Sequence, residues 1–349
     1  MRSSYKEDDV TLLLKDITGM IAPQPTEERE RQIQSGRHYC EMLPLEYVPT
    51  EKYMAVYNQS LATFSRPVAN AVAVLSEKIL KRKGNDVVLV SLARAGIPIG
   101  ILIKHYIAWK HKINVPHYSI SIIRGKGIDK NAMKHILDRH TPGQIQFVDG
   151  WIGKGAILGE LEKDLADYKD VSSDLAVISD PANITDLCGT HEDILIPSSC
   201  LNSTVSGLIS RTVLRDDLIG PNDFHGAVFY GELKGSDLSY SFIESIEKEF
   251  PESARDDFIP ESGNGRDEVV SIASRFGIDD INLIKPGIGE ATRVLLRRLP
   301  WKILIDKRYA DSPQLSHLLK LAEDKKIPVE EYPLRHYKCC GIIRKLADA

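Results

Sequence analysis

Phe147-Val-Asp-Gly-Trp-Ile-Gly-Lys-Gly-Ala-Ile157 joins an apolar run to a helical one through a loop that holds Gly150, Gly153 and Gly155. The preceding Gln144-Ile-Gln-Phe-Val148 reads as a strand. Beyond the loop, from Gly155 to Tyr168, Ile157, Leu158, Leu161 and Leu165 fall on one helical face. The same grammar recurs upstream: Asp86 to Leu92 as a strand, Ala93 to Pro98 as a turn, and Ile99 to Trp109 as a helix. Tyr118 to Ile123 and Asp174 to Ile178 add two more strands. Repeated strand–loop–helix units predict an α/β fold on a mostly parallel sheet, with ligands at the carboxyl ends of the strands. Chemistry is therefore expected in the loops after Leu92, Ile123 and Val148.

The chain has 349 residues and a mass of 39.0 kDa, enough for two domains and room for a small third. Hydrophobic residues at 42% and charged residues at 27% are globular proportions. A net charge of −4 excludes a polybasic chain, but the charge is uneven. From Ile281 to Ala349 fourteen Lys/Arg face eight Asp/Glu, a surplus of +6, which leaves −10 on the remainder. A basic end on an acidic body is the pattern of an appended nucleic-acid module. The polar stretch Phe250 to Arg266, with two prolines and two glycines, reads as a linker. The expected organisation is a main domain over 1–250 that includes an N-terminal arm, a linker over 251–266 and a second domain over 267–349. Five irregularly spaced cysteines argue against a disulfide scaffold, and adjacent Cys339-Cys340 offers no metal spacing, so no metal site of the protein's own is expected. No signal-peptide or membrane-spanning run is visible, so a cytoplasmic protein is expected.

Glycines before a helix let backbone N–H groups approach an anion, and Lys154 adds a compact positive charge. This predicts phosphate binding by Gly150, Gly153, Lys154 and Gly155; the competing reading is a tight turn with an exposed lysine. The loop fits neither a P-loop nor a dinucleotide fingerprint. An apolar strand ending in an acid, then a short glycine loop and a helix, resembles the phosphoribosyl-pyrophosphate (PRPP) loop of type I phosphoribosyltransferases. On that resemblance Asp149 is the first of two ribose-gripping acids, and Gly150 stands where the second would be. Arg94 in Val90-Ser-Leu-Ala-Arg-Ala-Gly-Ile-Pro-Ile-Gly100 resembles the family's pyrophosphate loop, and Arg124 with Lys126 its mobile catalytic loop. The resemblance implies a type I phosphoribosyltransferase-like sheet, with Asp149, Arg94 and Arg124 acting on PRPP or a related ribose phosphate with Mg²⁺.

Ser35 to Pro44, the Arg-Ala-Gly and Val-Asp-Gly-Trp loops, and Ile196 to Leu208 also look like the StiP family of bacterial tellurium-resistance and stress operons. That resemblance implies a phosphoribosyltransferase-like body followed by a Pelota-type RNA-binding domain. The family is also labelled a cysteine protease, so a second chemistry competes: Cys200 as nucleophile, His191 as base and Asp193 as its orienter. A third reading is a non-enzymatic, nucleotide-sensing RNA binder.

In the C-terminal part, Lys285-Pro-Gly-Ile-Gly-Glu-Ala-Thr-Arg293 opens a helix. It resembles the RNA-reading turn of the Pelota C-terminal domain, a small α/β/α unit, with Gly287, Glu290 and Arg293 matching and Gly289 departing from an asparagine. Lys338 and Arg344 are expected near the same RNA-binding face, on RNA's phosphates. The expected partners are a small ribose phosphate and RNA, with no membrane; a homodimer stays open.

Overall fold

The computed structural model describes residues 1–345. A first body is built on six strands: β1 (Thr11–Leu12), β2 (Val88–Leu92), β3 (His117–Ile120), β4 (Ile145–Trp151), β5 (Leu175–Ser179) and β6 (Cys188–Thr190). Their spatial order is β1-β3-β2-β4-β5-β6, and the described pairings are all parallel. β2 and β5 are buried along their whole length, as strands covered on both faces must be. The helices are α1 (Thr26–Gln34), α2 (Glu51–Lys83), α3 (Gly96–His111), α4 (Lys130–Leu137), α5 (Ala156–Leu165) and α6 (Ser239–Glu247). α2, α3 and α6 cover one face of the sheet, and α4 and α5 the other.

Two differences from the sequence reading have physical causes. The longest helix, α2, lies in a segment left unassigned and carries Pro67, which removes one helical hydrogen bond. Burial of Val56, Phe64, Val68, Val72, Leu75 and Ile79 outweighs that loss. The strand expected over 118–123 is split at Ser121, whose Oγ pairs with His225 Nδ1 at 2.9 Å. Ile122–Ile123 then fold back on Gly127–Ile128 as a short antiparallel pair. No helix among the described residues is long and apolar enough to cross a membrane.

A second body follows, with α7 (Gly265–Phe276), β7 (Ile284–Pro286), α8 (Ile288–Arg297), β8 (Pro300–Ile305), α9 (Ser316–Asp324), β9 (Val329–Glu331) and β10 (Cys339–Ile343). Its sheet runs β7-β10-β8-β9, with β10 antiparallel to both neighbours and β8 parallel to β9. α8 is sharply two-sided. Ile288, Ala291, Val294 and Leu295 bury against the sheet, while Glu290, Arg293 and Arg297, spaced three and four apart, share the opposite face. That charged face is turned toward the first body.

Within the first body, His105 on α3 ties the N-terminal arm to α6. Its Nε2 lies 2.8 Å from Asp9 Oδ1, and its Nδ1 pairs with Glu247. Burial works against a charge here, but the hydrogen bonds to Asp9 and Glu247 outweigh it and hold the imidazole up at about 9. A base held above its ordinary 6.5 contributes stability that is whole below pH 6.5 and lost as pH rises through 9. We expect Tm to fall across that window and His105→Gln to lower Tm at pH 6 while flattening the fall; equal slopes in both proteins would contradict this.

Candidate functional site

The loops after β2 and β4 meet because α3 begins against β4. A Cβ on Gly96 would sit 2.4 Å from the Val148 carbonyl, so only glycine lets the Arg94 turn lie beside Asp149. Asp149 Oδ1 accepts the N–H of Gly150 at 2.7 Å. Burial pushes its carboxyl up to about 7, against the pull of that hydrogen bond and of Arg293. Arg94 donates to the Ile209 carbonyl at 2.7 Å and to Asn202 Oδ1 at 3.0 Å, and pairs with Glu46 at 3.4 Å. So the loops expected to carry chemistry do converge, but their charged side chains are already engaged.

The second body supplies the partners of Lys154 and Arg124. Lys154, expected to hold a phosphate, donates instead to the carbonyls of Ile281 and, at 3.1 Å, Ile284. Burial brings its ammonium down to about 8. Arg124 donates to Asn282 Oδ1 at 2.8 Å. The Gly153 carbonyl accepts the Tyr337 hydroxyl at 2.7 Å, and a Cβ on Gly155 would meet Arg266 at 2.5 Å. The glycine loop is a docking surface for the neighbouring body, because its free carbonyls and lysine find protein partners there.

The turn expected to read RNA is the other half of the same contact. Gly287, at φ +87°, starts α8 beside Asp193, which accepts the Ile288 N–H at 3.0 Å and the Lys338 N–H at 2.9 Å. Gly289 abuts Trp151 and Ser199. Glu290 lies near Gly153 and pairs with Arg293 at 3.4 Å, and the Arg293 guanidinium sits 5.6 Å from the Trp151 ring centre. Arg293, Lys285 and Lys154 hold the Glu290 carboxyl below its ordinary value in spite of burial. Lys338 is buried, bonded to Glu192 and Gln314 at 2.5 Å each; Arg344 is exposed.

The expected thiol trio is dispersed. Cys200 is buried with the Ser60 hydroxyl 3.5 Å from its sulfur, and burial pushes its thiol up to about 11. Asp193 is spent on the second body's backbone. His191 instead faces Cys188, with Nε2 3.4 Å from Sγ. Its Nδ1 lies 2.9 Å from the Asp180 carbonyl and 3.8 Å from the Asp180 carboxylate. A carbonyl can only accept, so Nδ1 carries the proton and Nε2 presents its lone pair to the thiol. The signal in the sequence for this pair is the Cys188-Gly-Thr-His191 spacing at a strand end. A second pair, Cys40 and His38, stands at 2.9 Å, but His38 also caps a short 3-10 turn, and its Nε2 lies 3.0 Å from the Arg124 carbonyl with no carboxylate paired to it among the described residues.

Residues 3–247 match the model of the family described as "Tellurite-like stress resistance cysteine protease StiP". The protein named "Cysteine protease StiP" from Acinetobacter baylyi is 36% identical over 365 aligned residues, which cover 98% of this chain and 94% of that one. The chain belongs to the StiP family. Residues 263–345 match the PELOTA RNA binding domain. A hypoxanthine-guanine phosphoribosyltransferase from Bacillus anthracis aligns at 15% identity over 35% of this chain and 71% of that one. The TM-score is 0.25, and a second structure of the same enzyme aligns equally. Likeness at that level carries no argument for a shared activity.

StiP membership corrects the expected function. The family and its named relative are described as cysteine proteases, so the phosphoribosyltransferase reading gives way, and with it the ribose-phosphate substrate. The loop geometry agrees with that correction. No acid follows Asp149, since Gly150 stands there, and Lys154 is occupied, so these residues lack the adjacent acid pair and free lysine that would hold PRPP with Mg²⁺. A carboxyl raised from 3.8 to about 7 destabilises the fold once pH passes that interval, because the folded state must give up a proton it holds more tightly. Asp149→Asn should therefore raise Tm at pH 8 by at least about 2 °C and leave it unchanged below pH 4. A lower Tm at pH 8 would contradict this assignment.

Proposed function

We propose that this StiP-family chain is a cysteine-dependent hydrolase whose reacting pair is Cys188 and His191, joined to a unit that binds RNA. The observation that carries the first part is the 3.4 Å approach of Cys188 Sγ to His191 Nε2, with Nδ1 held by Asp180. Burial pushes the Cys188 thiol up to about 12, so it rests protonated and needs a base. His191 Nε2 takes the Sγ proton as sulfur bonds to the scissile carbonyl carbon. The tetrahedral adduct collapses, the C–N bond breaks, and the leaving amine takes the proton from His191. Water then bonds to the thioester carbon, the C–S bond breaks, and the water proton passes through His191 Nε2 to Cys188 Sγ, which restores the thiol.

The Asp180 carboxylate supports this charge movement. Its Oδ2 accepts the N–H groups of Ile184 and Thr185 at 2.6 and 2.7 Å, which fixes it in place. The same Oδ2 lies 3.8 Å from His191 Nδ1, so the carboxylate faces a ring that becomes positive during the reaction, while Oδ1 is buried with no hydrogen-bond partner among the described residues. Cys188 itself is buried, so reaction requires the covering chain to open, and labelling of the thiol reads that opening. RNA binding by the second unit is supported by its match to the PELOTA RNA binding domain and by the +6 charge of residues 281–349.

The test is labelling by an iodoacetamide-class electrophile, followed by intact mass and peptide mapping. We expect Cys188 to be modified, with the rate cut at least about tenfold in His191→Gln. Cys188→Ala should abolish turnover of an unfolded protein substrate, while Cys200→Ala keeps it. Labelling confined to Cys200, or turnover that survives Cys188→Ala, would overturn the proposal.

A further inference from the structure

Between the two bodies the sequence gathers more positive charge than the protein neutralises. Arg29 comes from α1, Arg94 from the loop after β2, Arg211 from the segment that follows Cys200, and Arg297 and Arg298 from the end of α8. Two carboxylates are bonded to this group. Glu30 takes Arg298 at 2.7 Å, and Glu46 takes Arg94 at 3.4 Å while also accepting the Ser203 hydroxyl at 3.2 Å. Five guanidinium groups against two carboxylates leave three positive charges over.

The uncompensated charge can be located to individual atoms. Arg211 Nη1, Arg29 Nε and Arg297 Nε are buried and have no hydrogen-bond partner among the described residues. The Arg211 guanidinium lies 4.8 Å from the Tyr39 ring centre, which offers a π face but no acceptor. Arg297 reaches the Ser199 carbonyl at 3.2 Å with a different nitrogen. Burial, with Arg29, Arg94 and Arg298 close by, brings Arg211 down to about 9, and burial with Arg293 does the same for Arg297. Buried N–H groups of an ion without acceptors are costly, and planar guanidinium forks match phosphate oxygens two at a time.

We propose that Arg29, Arg94, Arg211, Arg297 and Arg298 form a binding site for a compact multivalent phosphate anion, the oligophosphate of a nucleotide or a free inorganic oligophosphate. The site is independent of the thiol chemistry and implies no group transfer. Its ligand bridges the two bodies, since Arg297 and Arg298 belong to one and Arg29, Arg94 and Arg211 to the other. An extended RNA strand is the less favoured occupant because the unpartnered nitrogens are buried.

Calorimetric titration and thermal melting of the full chain with inorganic triphosphate test this, with a nucleoside triphosphate as a second arm. Wild type should bind one equivalent, gain Tm and lose affinity as salt is raised. Equal affinity in both arms assigns the phosphate chain alone as the recognised group, and tighter nucleotide binding assigns a nucleotide. Arg211→Met should weaken binding at least about tenfold, the effect of one lost charge-assisted hydrogen bond. It should also raise the Tm of the unliganded protein, because an unpaired buried charge is removed, which a merely structural arginine would not do. Arg297→Met tests the same point from the other body, and exposed Arg66→Ala is the control that changes neither reading. Absence of binding and of any Tm shift in wild type, losses no larger than those of Arg66→Ala, or binding of RNA without response to either phosphate would overturn it.

Discussion

A single carboxylate fixes how the two halves of this protein meet. Asp193, just beyond the last strand of the six-stranded sheet, accepts the backbone N–H of Ile288 and of Lys338. One of those amides opens α8 and the other precedes β10, so the acid grips the second sheet at two adjacent points. Each hydrogen bond to an ionised group is worth about 1.5–3 kcal/mol, and both are buried. Burial pushes the Asp193 carboxyl up to about 6 even with two donors on it. Gly287 makes the grip possible, because a Cβ there would stand 3.1 Å from Asp193 Oδ1 and φ is positive.

Everything facing that contact inherits its geometry. Once Asp193 sets α8 in place, Glu290, Arg293 and Arg297 point at the loops of the first body, and Lys154 is drawn to the carbonyls of Ile281 and Ile284. The glycines that would let a backbone approach a phosphate let it approach Tyr337 and Glu290 instead. Arginines from three separate elements of the first body meet the end of α8 with too few acids among them. Two strands, β4 and β5, separate β6 with its Cys188–His191 pair from β2 and its Arg94 loop, so the thiol–imidazole pair and the arginine cluster occupy different parts of one framework.

The parallel sheet was legible because β2, β4 and β5 are predominantly apolar runs followed by turn residues, and such runs specify strands buried on both faces. α8 was legible from its periodicity and its opening glycine. α2 was hidden by Pro67, whose cost is recovered through burial that no local pattern displays. β10 was hidden because Cys339-Cys340 with Gly341 is a poor strand signal, although it lies between two strands that pair with it. At the site, the sheet topology brings the Arg94 and Asp149 loops together, whereas Lys154 and Arg124 find partners more than a hundred positions away, which no local pattern displays. His191 stands out in the sequence, but that it faces Cys188 and not Cys200 depends on the turn that returns it to Asp180, a tertiary feature.

The docking of the α8 turn against the β4 loop holds the two bodies together, and amide hydrogen exchange reads that contact directly in the full chain. Peptides covering 151–155 and 286–293 should both be protected in the wild type, and both should lose protection together when Asp193 is replaced by Ala, while β2 and β5 keep theirs. If the two peptides exchange at the rate of open loops in the wild type, or if Asp193→Ala leaves both unchanged, the bodies are not held as described.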